Sequence, residues 1–168
     1  MSEETTATEH IYRIEGGFGR IPVTGVQPVI SDGAYPAKAV EHERILIQAN
    51  VFREGHDAVN ASVILTAPDG TQRRVDMEQV EPAGLDIWQA HVRMAEVGDW
   101  TFRVEGWSDS WATWLHTAEA KLPLEMDMDL VCMEGREVIG RAVANAERLG
   151  VTSAATILQA ASDILHPH

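Results

Sequence analysis

The sequence has very little cysteine, few basic residues and no long apolar run. Cys132 is the only cysteine among 168 residues, so an internal disulfide cannot form, as is typical of proteins from reducing compartments. Thirteen Lys and Arg residues stand against 26 Asp and Glu residues, so no basic surplus exists to neutralise nucleic-acid phosphates or an anionic membrane. No stretch approaches the ~20 apolar residues that span a bilayer, and the acidic start MSEETTATEH lacks the features of a secretory signal. These absences predict a cytoplasmic protein that binds neither nucleic acids nor membranes.

The familiar motifs of catalysis and cofactor binding are also missing. The glycine cluster at 16–19 lacks the Lys-Ser/Thr pair of a phosphate-binding loop, and neither HExxH nor GxSxG occurs. His56 and Asp57 stand side by side and could bind a metal ion or transfer a proton, which is the weakest hypothesis that we carry for an independent enzyme. We interpret them instead as part of a structural loop with a His–Asp or Arg–Asp bond. The sequence thus predicts no catalytic residue, no cofactor and no metal site.

Short alternating segments dominate residues 10–122, after a start (1–9) that we expect to be disordered. Alternation of apolar and polar residues predicts short strands that include Arg44–Phe52, Ala61–Thr66, Ile87–Met94, Trp100–Glu105 and Trp111–Leu122. The sequence Ala67-Pro68-Asp69-Gly70 predicts a tight turn. At least six short strands at this spacing indicate an immunoglobulin-like antiparallel β-sandwich. Without a disulfide between the sheets, we expect the central packing to come from Trp88, Trp100 and Phe102.

The period of the apolar residues changes after Pro123, and residues 123–168 predict two helices. The first runs from about Met126 to Leu149, and its predicted apolar positions are Leu130, Val131, Val138, Ala142, Ala146 and Leu149. Gly150 is placed to end it, and Thr152 or Ser153 is placed to cap the second. The predicted apolar face of the second helix is Ala154, Ile157, Leu158, Ala161, Ile164 and Leu165. Two helices joined by a short turn form a hairpin, whose apolar face must cover the sandwich, a partner chain or the remainder of a longer protein.

Trp107, Trp111 and Trp114 form an aromatic run with three interpretations. Tryptophans on a β-sandwich can form a flat platform on which sugar rings stack, which would make the domain a glucan-binding module. The rings can also lie at a protein interface, where tryptophan is favoured. The third interpretation places them in the core, where Trp buries a large area. The residues alone leave all three open.

Five segments carry a resemblance to a known family: Gly19–Pro22, Pro36–Val40, Val51–Val59, Trp100–Glu105 and Trp107–Asp109. Together they resemble the amino-terminal domain of the bacterial maltosyltransferases that extend alpha-glucans from maltose 1-phosphate. The likeness covers about Gly19 to Leu122 and is weaker through the helices. The family pattern often has Pro after the aspartate of the last segment, where this sequence has Ser110.

The resemblance implies a fold, a parent activity and partners. The full enzymes belong to glycoside hydrolase family 13, and their catalytic Asp and Glu lie in a (β/α)₈ barrel downstream, to which nothing in this sequence corresponds. The family's sandwich and helical bundle contribute to a homodimer interface. We therefore expect a non-catalytic assembly domain, whose partners are a second copy and the missing barrel, with Ile157, Leu158, Ala161, Ile164 and Leu165 at the helical interface. The alternative is a glucan-binding module that uses Trp107, Trp111 and Trp114.

Overall fold

Two antiparallel sheets followed by three α-helices make up the chain in a computed structural model that describes residues 20–80 and 84–165. The expected disorder of residues 1–9 lies outside this range. The strands are β1 Val23–Gln27, β2 Arg44–Val51, β3 Val59–Thr66, β4 Gln72–Asp76, β5 Glu78–Gln79, β6 Ile87–Arg93 and β7 Thr101–Ser108. The helices are α1 Ser110–Lys121, α2 Met128–Arg148 and α3 Thr152–Ile164. The predicted class, mainly β with a carboxyl-terminal helical part, is confirmed, while the narrower immunoglobulin-like assignment stays a prediction.

The two sheets face each other across the main core. One has the strand order β1-β2-β6-β5 and the other β4-β3-β7, with antiparallel pairing throughout. The predicted alternation in β2 is confirmed, because Ile47, Ala49 and Val51 point inward and are fully buried. They meet Val63 and Leu65 of the central strand β3, so residues two apart along each strand fill the space between the sheets.

The central packing comes from aliphatic residues more than from the three aromatic residues that the sequence suggested. Trp88 is buried among them and donates its indole N–H to the Val51 carbonyl over 3.0 Å. Trp100 and Phe102 are only half-buried and pack against the margin of the core. The physical reason is their position, because Phe102 lies on β7, the outer strand of its sheet, and Trp100 directly precedes that strand.

The predicted turn at residues 67–70 is confirmed. Gly70 donates its N–H to the Ala67 carbonyl over 2.9 Å, and the Asp69 carboxylate accepts from the backbone N–H and the hydroxyl of Thr71. This turn leads into β4, which the alternation does not reveal. The strand reads QRRVD and lies at a sheet edge, where charged side chains are favoured because they discourage pairing with other chains.

The strand predicted over Trp111–Leu122 is wrong, because this segment is helix α1. Its apolar residues recur at intervals of three and four rather than two, since Trp114 and Ala118 are the buried positions. Asp109 caps the helix by accepting from the Ala112 N–H over 2.9 Å. Ser110 is therefore the first helical residue, a position at which proline is also favoured. The helical part thus begins at Ser110 and has three α-helices rather than two within the residues that the structure describes.

Helices α2 and α3 form the predicted hairpin. Gly150 ends α2 in the left-handed region (φ +71°), with its N–H bonded to the Glu147 carbonyl and the Val151 N–H bonded to the Ala146 carbonyl. The predicted cap of α3 is wrong. Val151 holds the cap position, because it alone separates Gly150 from the first turn of α3, and its aliphatic side chain can accept no hydrogen bond.

The predicted apolar face of α2 is partly wrong. Leu130 and Leu149 are exposed, whereas Ile139 and Val143 are buried. The buried face follows intervals of about four residues and comprises Val131, Cys132, Gly135, Ile139, Val143 and Ala146. Gly135 belongs to it because α1 comes close there: a β-carbon would lie 2.5 Å from Cζ2 of Trp114. The glycine that weakens α2 as an isolated helix therefore permits its tertiary packing.

Candidate functional site

Trp114 belongs to the core of the helices. Its side chain is 9% exposed and donates Nε1–H to the Val131 carbonyl over 2.8 Å. It packs with Ala118 and Val131, and Leu165 of the α3 end covers the same cluster. A ring enclosed in this way joins α1 to α2 and does not present a face to a sugar.

Trp107 lies on the outward side of β7, inside a closed polar network. Its indole N–H donates to Ser62 Oγ over 3.3 Å, and that hydroxyl donates to Asp76 Oδ1 over 3.1 Å. Arg74 donates to the same Asp76 oxygen over 3.2 Å and holds its guanidinium carbon 5.3 Å from the centre of the Trp107 ring. A guanidinium over a Trp ring is attracted by the electrons of the ring face. The network therefore holds Trp107 in place and occupies one of its faces.

Trp111 is the most exposed of the three tryptophans, at 47%. Its ring centre lies 5.0 Å from that of Trp114, with the two planes tilted by 45°. The structure therefore brings Trp111 and Trp114 together on α1 and leaves Trp107 on the sheet, so the three rings do not share one plane. The glucan and interface roles of Trp107 and Trp111 stay predictions.

The five predicted interface residues of α3 fall into two sets. Leu158 and Leu165 are half-buried and pack against the small cores of the helical part. Ile157 and Ile164 are 71% and 80% exposed, and Ala161 is exposed between them. Because these three positions lie three or four residues apart, they form one apolar strip on the outside of α3. We call Ile157, Ala161 and Ile164 the α3 strip.

Helices α1 and α2 expose further apolar residues beyond the predicted interface positions. The exposed ones include Leu115, Leu130, Met133 and Leu149. Leu115 follows Trp111 at a spacing of four, so the pair shares one face of α1. The spacing was present in the sequence, but a strand interpretation of this segment conceals it.

The loop that follows β2 contains one of the two bonds that we predicted for it. Arg53 bonds Asp57 over 2.6 Å and donates to Ser108 Oγ over 2.9 Å, while His56 is exposed. The predicted Arg–Asp bond is therefore confirmed. Beside it lies a groove of about 430 Å³, lined by Arg20, Pro22, Phe52, Arg53 and Glu54.

The first turn of α1 is bonded to the segment that enters β3. The Asp109 N–H donates to the Ala58 carbonyl over 2.9 Å, and the Ala58 N–H donates to Thr113 Oγ1 over 2.8 Å. The Thr113 hydroxyl in turn donates to the Asp109 carbonyl over 2.8 Å. Asn60 adds a bond to the Asp109 carboxylate over 3.3 Å. These contacts join the sandwich to the helices.

Ionisable groups offer little that resembles an active centre within residues 20–80 and 84–165. No group of three or more His, Cys, Asp or Glu side chains there is placed to hold a metal ion. The N–H and hydroxyl of Thr71 hold the pKa of Asp69 below its ordinary value, and the hydrogen bond from Lys121 to Asp127 raises the pKa of that lysine. Both groups lie on the surface. In the same part of the chain, no helix is long and apolar enough to cross a membrane.

Comparison with known proteins gives a consistent family. Residues 19–167 match the family described as alpha-1,4-glucan:maltose-1-phosphate maltosyltransferase, domain N/S. Maltosyltransferase 2 of this name from Streptomyces coelicolor is 48% identical over 133 residues, covering 79% of this chain and 20% of the relative. Its maltosyltransferase 1 is 46% identical over 76% of this chain and 19% of the relative. The maltosyltransferase of Arcanobacterium haemolyticum is 37% identical over 83% of this chain and 21% of the relative.

The family match covers the segments that first carried the resemblance. The chain spans about a fifth of the length of the curated relatives, 20% for the S. coelicolor protein first named. The matched range contains all the strands and α-helices of the part of the chain that the structure describes. The chain therefore belongs to the N/S-domain family of the alpha-1,4-glucan:maltose-1-phosphate maltosyltransferases.

Proposed function

We propose that this chain is a non-catalytic assembly domain of a maltosyltransferase. In this proposal the parent protein transfers maltosyl units from maltose 1-phosphate to alpha-1,4-glucans with a family 13 barrel. The present domain helps to hold two such barrels in a homodimer. The names of the relatives support the activity proposed for the parent protein. The chain covers about a fifth of their length, which supports the proposal that it is a part of the parent without the catalytic residues.

The α3 strip is the observation that carries the assembly role. Ile157 and Ile164 are more than two-thirds exposed in a chain of net charge −13, although isoleucine is among the residues most often buried. Contiguous apolar surface of this kind marks a contact with another protein. Trp111 and Leu115 on α1 add the aromatic and aliphatic residues that are typical of such contacts.

The absence of catalysis is tested on the isolated chain. Purified protein is incubated with maltose 1-phosphate and an acceptor glucan, and released phosphate is measured. We expect no release above the protein-free background. Turnover that copurifies with the chain and scales with its concentration would overturn the non-catalytic assignment.

The homodimer is tested by replacing residues of the α3 strip. We expect Ile157→Asp combined with Ile164→Asp to shift the sedimentation coefficient from dimer to monomer without changing the far-ultraviolet circular dichroism. Leu158 is left intact, because it packs against α2 and an aspartate there would destabilise the hairpin. Val97→Asp is the matched control, since Val97 is 85% exposed in a loop of the sandwich. A dimer that survives the double substitution would contradict the α3 interface.

A glucan-binding module is the second candidate, and the exposure of Trp111 favours it. Maltoheptaose is titrated against tryptophan fluorescence. Saturable quenching that disappears in Trp111→Ala but persists in Trp100→Phe would support glucan binding at α1. Quenching that persists in Trp111→Ala and disappears in Trp107→Ala would place the sugar on the sheet instead. The absence of quenching would leave assembly as the only one of the two candidate roles.

We also propose a cytoplasmic location. The single cysteine supports it, since Cys132 is buried and free and the chain holds no second thiol to oxidise with it. Fractionation of cells that produce the parent protein tests this location, and recovery in the extracellular fraction would contradict it.

A further inference from the structure

The helices are attached to the sandwich through a very short connection between β7 and α1. A single residue, Asp109, separates the last residue of β7 from the first residue of α1. Among the described elements, extended packing joins strands to strands and helices to helices, and none joins a helix to a strand. The direction in which the helical part projects must therefore be determined at the point where β7 becomes α1.

Thr113 is the central residue of this junction. Its hydroxyl accepts the Ala58 N–H from the segment that enters β3, and donates to the Asp109 carbonyl in its own helix. The Thr113 side chain thus gives Ala58 a second contact with α1, in addition to the bond from the Asp109 N–H. With contacts at two points, the helix resists rotation about the Asp109 backbone. The hydroxyl also satisfies the part-buried Ala58 amide, which would be costly to leave without an acceptor.

Arg53 supports the junction from the other side. Its guanidinium contacts Ser108, the last residue of β7, and Asp57, the residue before Ala58. Its side chain is 19% exposed, so the two bonds are partly shielded from water. A planar guanidinium that holds two groups at once fixes their relative position better than a single flexible contact.

We propose that Thr113 and Arg53 are positioning residues that set the angle between the helical part and the sandwich. The α3 strip and the exposed face of α1 then point in one fixed direction relative to the two sheets. The proposal concerns the geometry of one chain. It does not require the homodimer of the proposed function, and the two can fail separately.

The test compares two isosteric substitutions on the same helix. Thr113→Val removes both junction bonds, whereas Thr117→Val removes only the bond from the Thr117 hydroxyl to the Thr113 carbonyl within α1. Spin labels are attached at Thr101→Cys and Ser153→Cys in a Cys132→Ala background. Pulsed electron paramagnetic resonance then measures the distance between the sandwich and the helices. Labelled chains are diluted with unlabelled chains, so that any distance between two copies disappears from the signal.

We expect Thr113→Val to broaden the distance distribution about two-fold and Thr117→Val to leave it unchanged. The Ala58 amide should exchange with solvent at least about ten-fold faster in Thr113→Val, because its acceptor is gone. Thr113→Ser keeps a hydroxyl and should restore a narrow distribution. A narrow distribution in folded Thr113→Val would overturn the proposal, since Thr113 would then only stabilise the helix.

Arg53→Gln gives a second, independent measurement if Thr113→Val does not fold. The glutamine keeps hydrogen-bonding capacity but lacks the charge that pairs with Asp57 and the second arm that donates to Ser108. We expect a broadened distribution in this variant as well, with the melting transition of the sandwich retained. An unchanged distribution in Arg53→Gln would overturn the role of the arginine.

Discussion

The sandwich and the helical part of this chain are held together very differently. Within the described residues, the sandwich has one continuous core of ten buried residues, among them Leu65, Val63 and Ile47. The helices have two small clusters of four and three buried residues, whose members include Ala146, Ala155 and Ala118. Small side chains bury little apolar area each, so they contribute less stabilisation. The larger exposed apolar residues of the helices lie outside these clusters.

The region that contributes most to stability is therefore not the region that offers the most surface for interaction. The sandwich concentrates its buried apolar residues in one core, whereas the helices divide theirs between two small clusters and leave Trp111, Ile157 and Ile164 exposed. The helices therefore have apolar surface left over. The helical part is therefore the region in which a partner would change the energetics most. The following experiments test whether the two regions respond as differently as their cores suggest.

The largest effect is expected at the centre of the sandwich. Leu65 is 0% exposed, so Leu65→Ala removes buried methyl groups and leaves a cavity, and should lower the free energy of unfolding by roughly 2–5 kcal/mol. Chemical denaturation monitored by tryptophan fluorescence measures the change. Val97→Ala, at an exposed position, should stay within about 0.5 kcal/mol of the unsubstituted protein. Equal losses in both variants would contradict a core centred on β3.

The next effect is expected in the helices, at a position where two glycines of α2 provide a matched pair. A β-carbon at Gly135 would lie 2.5 Å from Trp114 Cζ2 and 2.9 Å from Leu165 Cδ1, whereas nothing lies within 4 Å of one at Gly140. Gly135→Ala should destabilise the helical part by about 1–3 kcal/mol through overpacking. Gly140→Ala should stabilise it by up to about 1 kcal/mol, because alanine is the better helix former.

Hydrogen exchange distinguishes the two regions in these glycine variants. Gly135→Ala should raise exchange in α1 and α3 and leave the amides of β2, β3 and β6 protected. If the strands lose protection together with the helices, the chain unfolds as one unit and the proposed contrast between the regions is wrong. Improved stability in Gly135→Ala would show that Trp114 does not occupy the space beside that glycine.

A smaller effect is expected where the regions meet. Asp109→Ala removes the cap of α1 and should cost roughly 0.5–2 kcal/mol. Asp109→Asn retains an acceptor for the Ala112 N–H and should recover most of the loss. Circular dichroism at 222 nm during thermal unfolding measures both variants. If Asp109→Asn is as unstable as Asp109→Ala, the charge of the aspartate matters more than its capping bond.

The same contrast explains which parts of the structure could be predicted from sequence. Strands β2, β3 and β6 were predicted because one or both of their faces are buried, and burial selects the apolar residues that make a period visible. Strands β4 and β5 lie at sheet edges and carry polar residues at most positions. The sequences of these two strands therefore show no alternation of apolar and polar residues. Pairing of these strands depends on the neighbouring chain segment and not on their own composition.

The helices were harder to predict because some of their apolar residues pack in the core and others lie exposed on the surface. In α2 the residues that pack inward are interspersed with Leu130 and Leu149, which are exposed. A pattern of apolar residues alone does not distinguish a core contact from a surface that awaits a partner. In α1, the capping aspartate and the spacing of Trp111, Trp114 and Ala118 were sufficient signals for a helix. The strand pattern of the preceding segments outweighed them.

The smallest expected effect is a response to pH that has opposite signs in the two regions. In the sandwich, the bonds from Thr71 lower the pKa of Asp69. The charged carboxylate is favoured in the folded state, so its contribution is present at neutral pH and is lost as pH falls through the lowered pKa. A titration followed by the Thr71 amide resonance should have a midpoint below that of an ordinary aspartate. The midpoint should vanish in Asp69→Asn.

In the helical part, the bond to Asp127 raises the pKa of Lys121. The charged ammonium is favoured in the folded state, so its contribution is present at neutral pH and is lost as pH rises through the raised pKa. Asp127→Asn should return the Lys121 titration, followed by its side-chain carbon resonances, to the ordinary range, and should leave the Thr71 midpoint unchanged. Because the Lys121–Asp127 ion pair lies at the surface, salt should weaken the shift of Lys121. A Lys121 midpoint that Asp127→Asn does not move would show that the 2.8 Å bond between the two side chains does not persist in solution, and the packing of Trp114 against α2 would then carry the connection between α1 and α2.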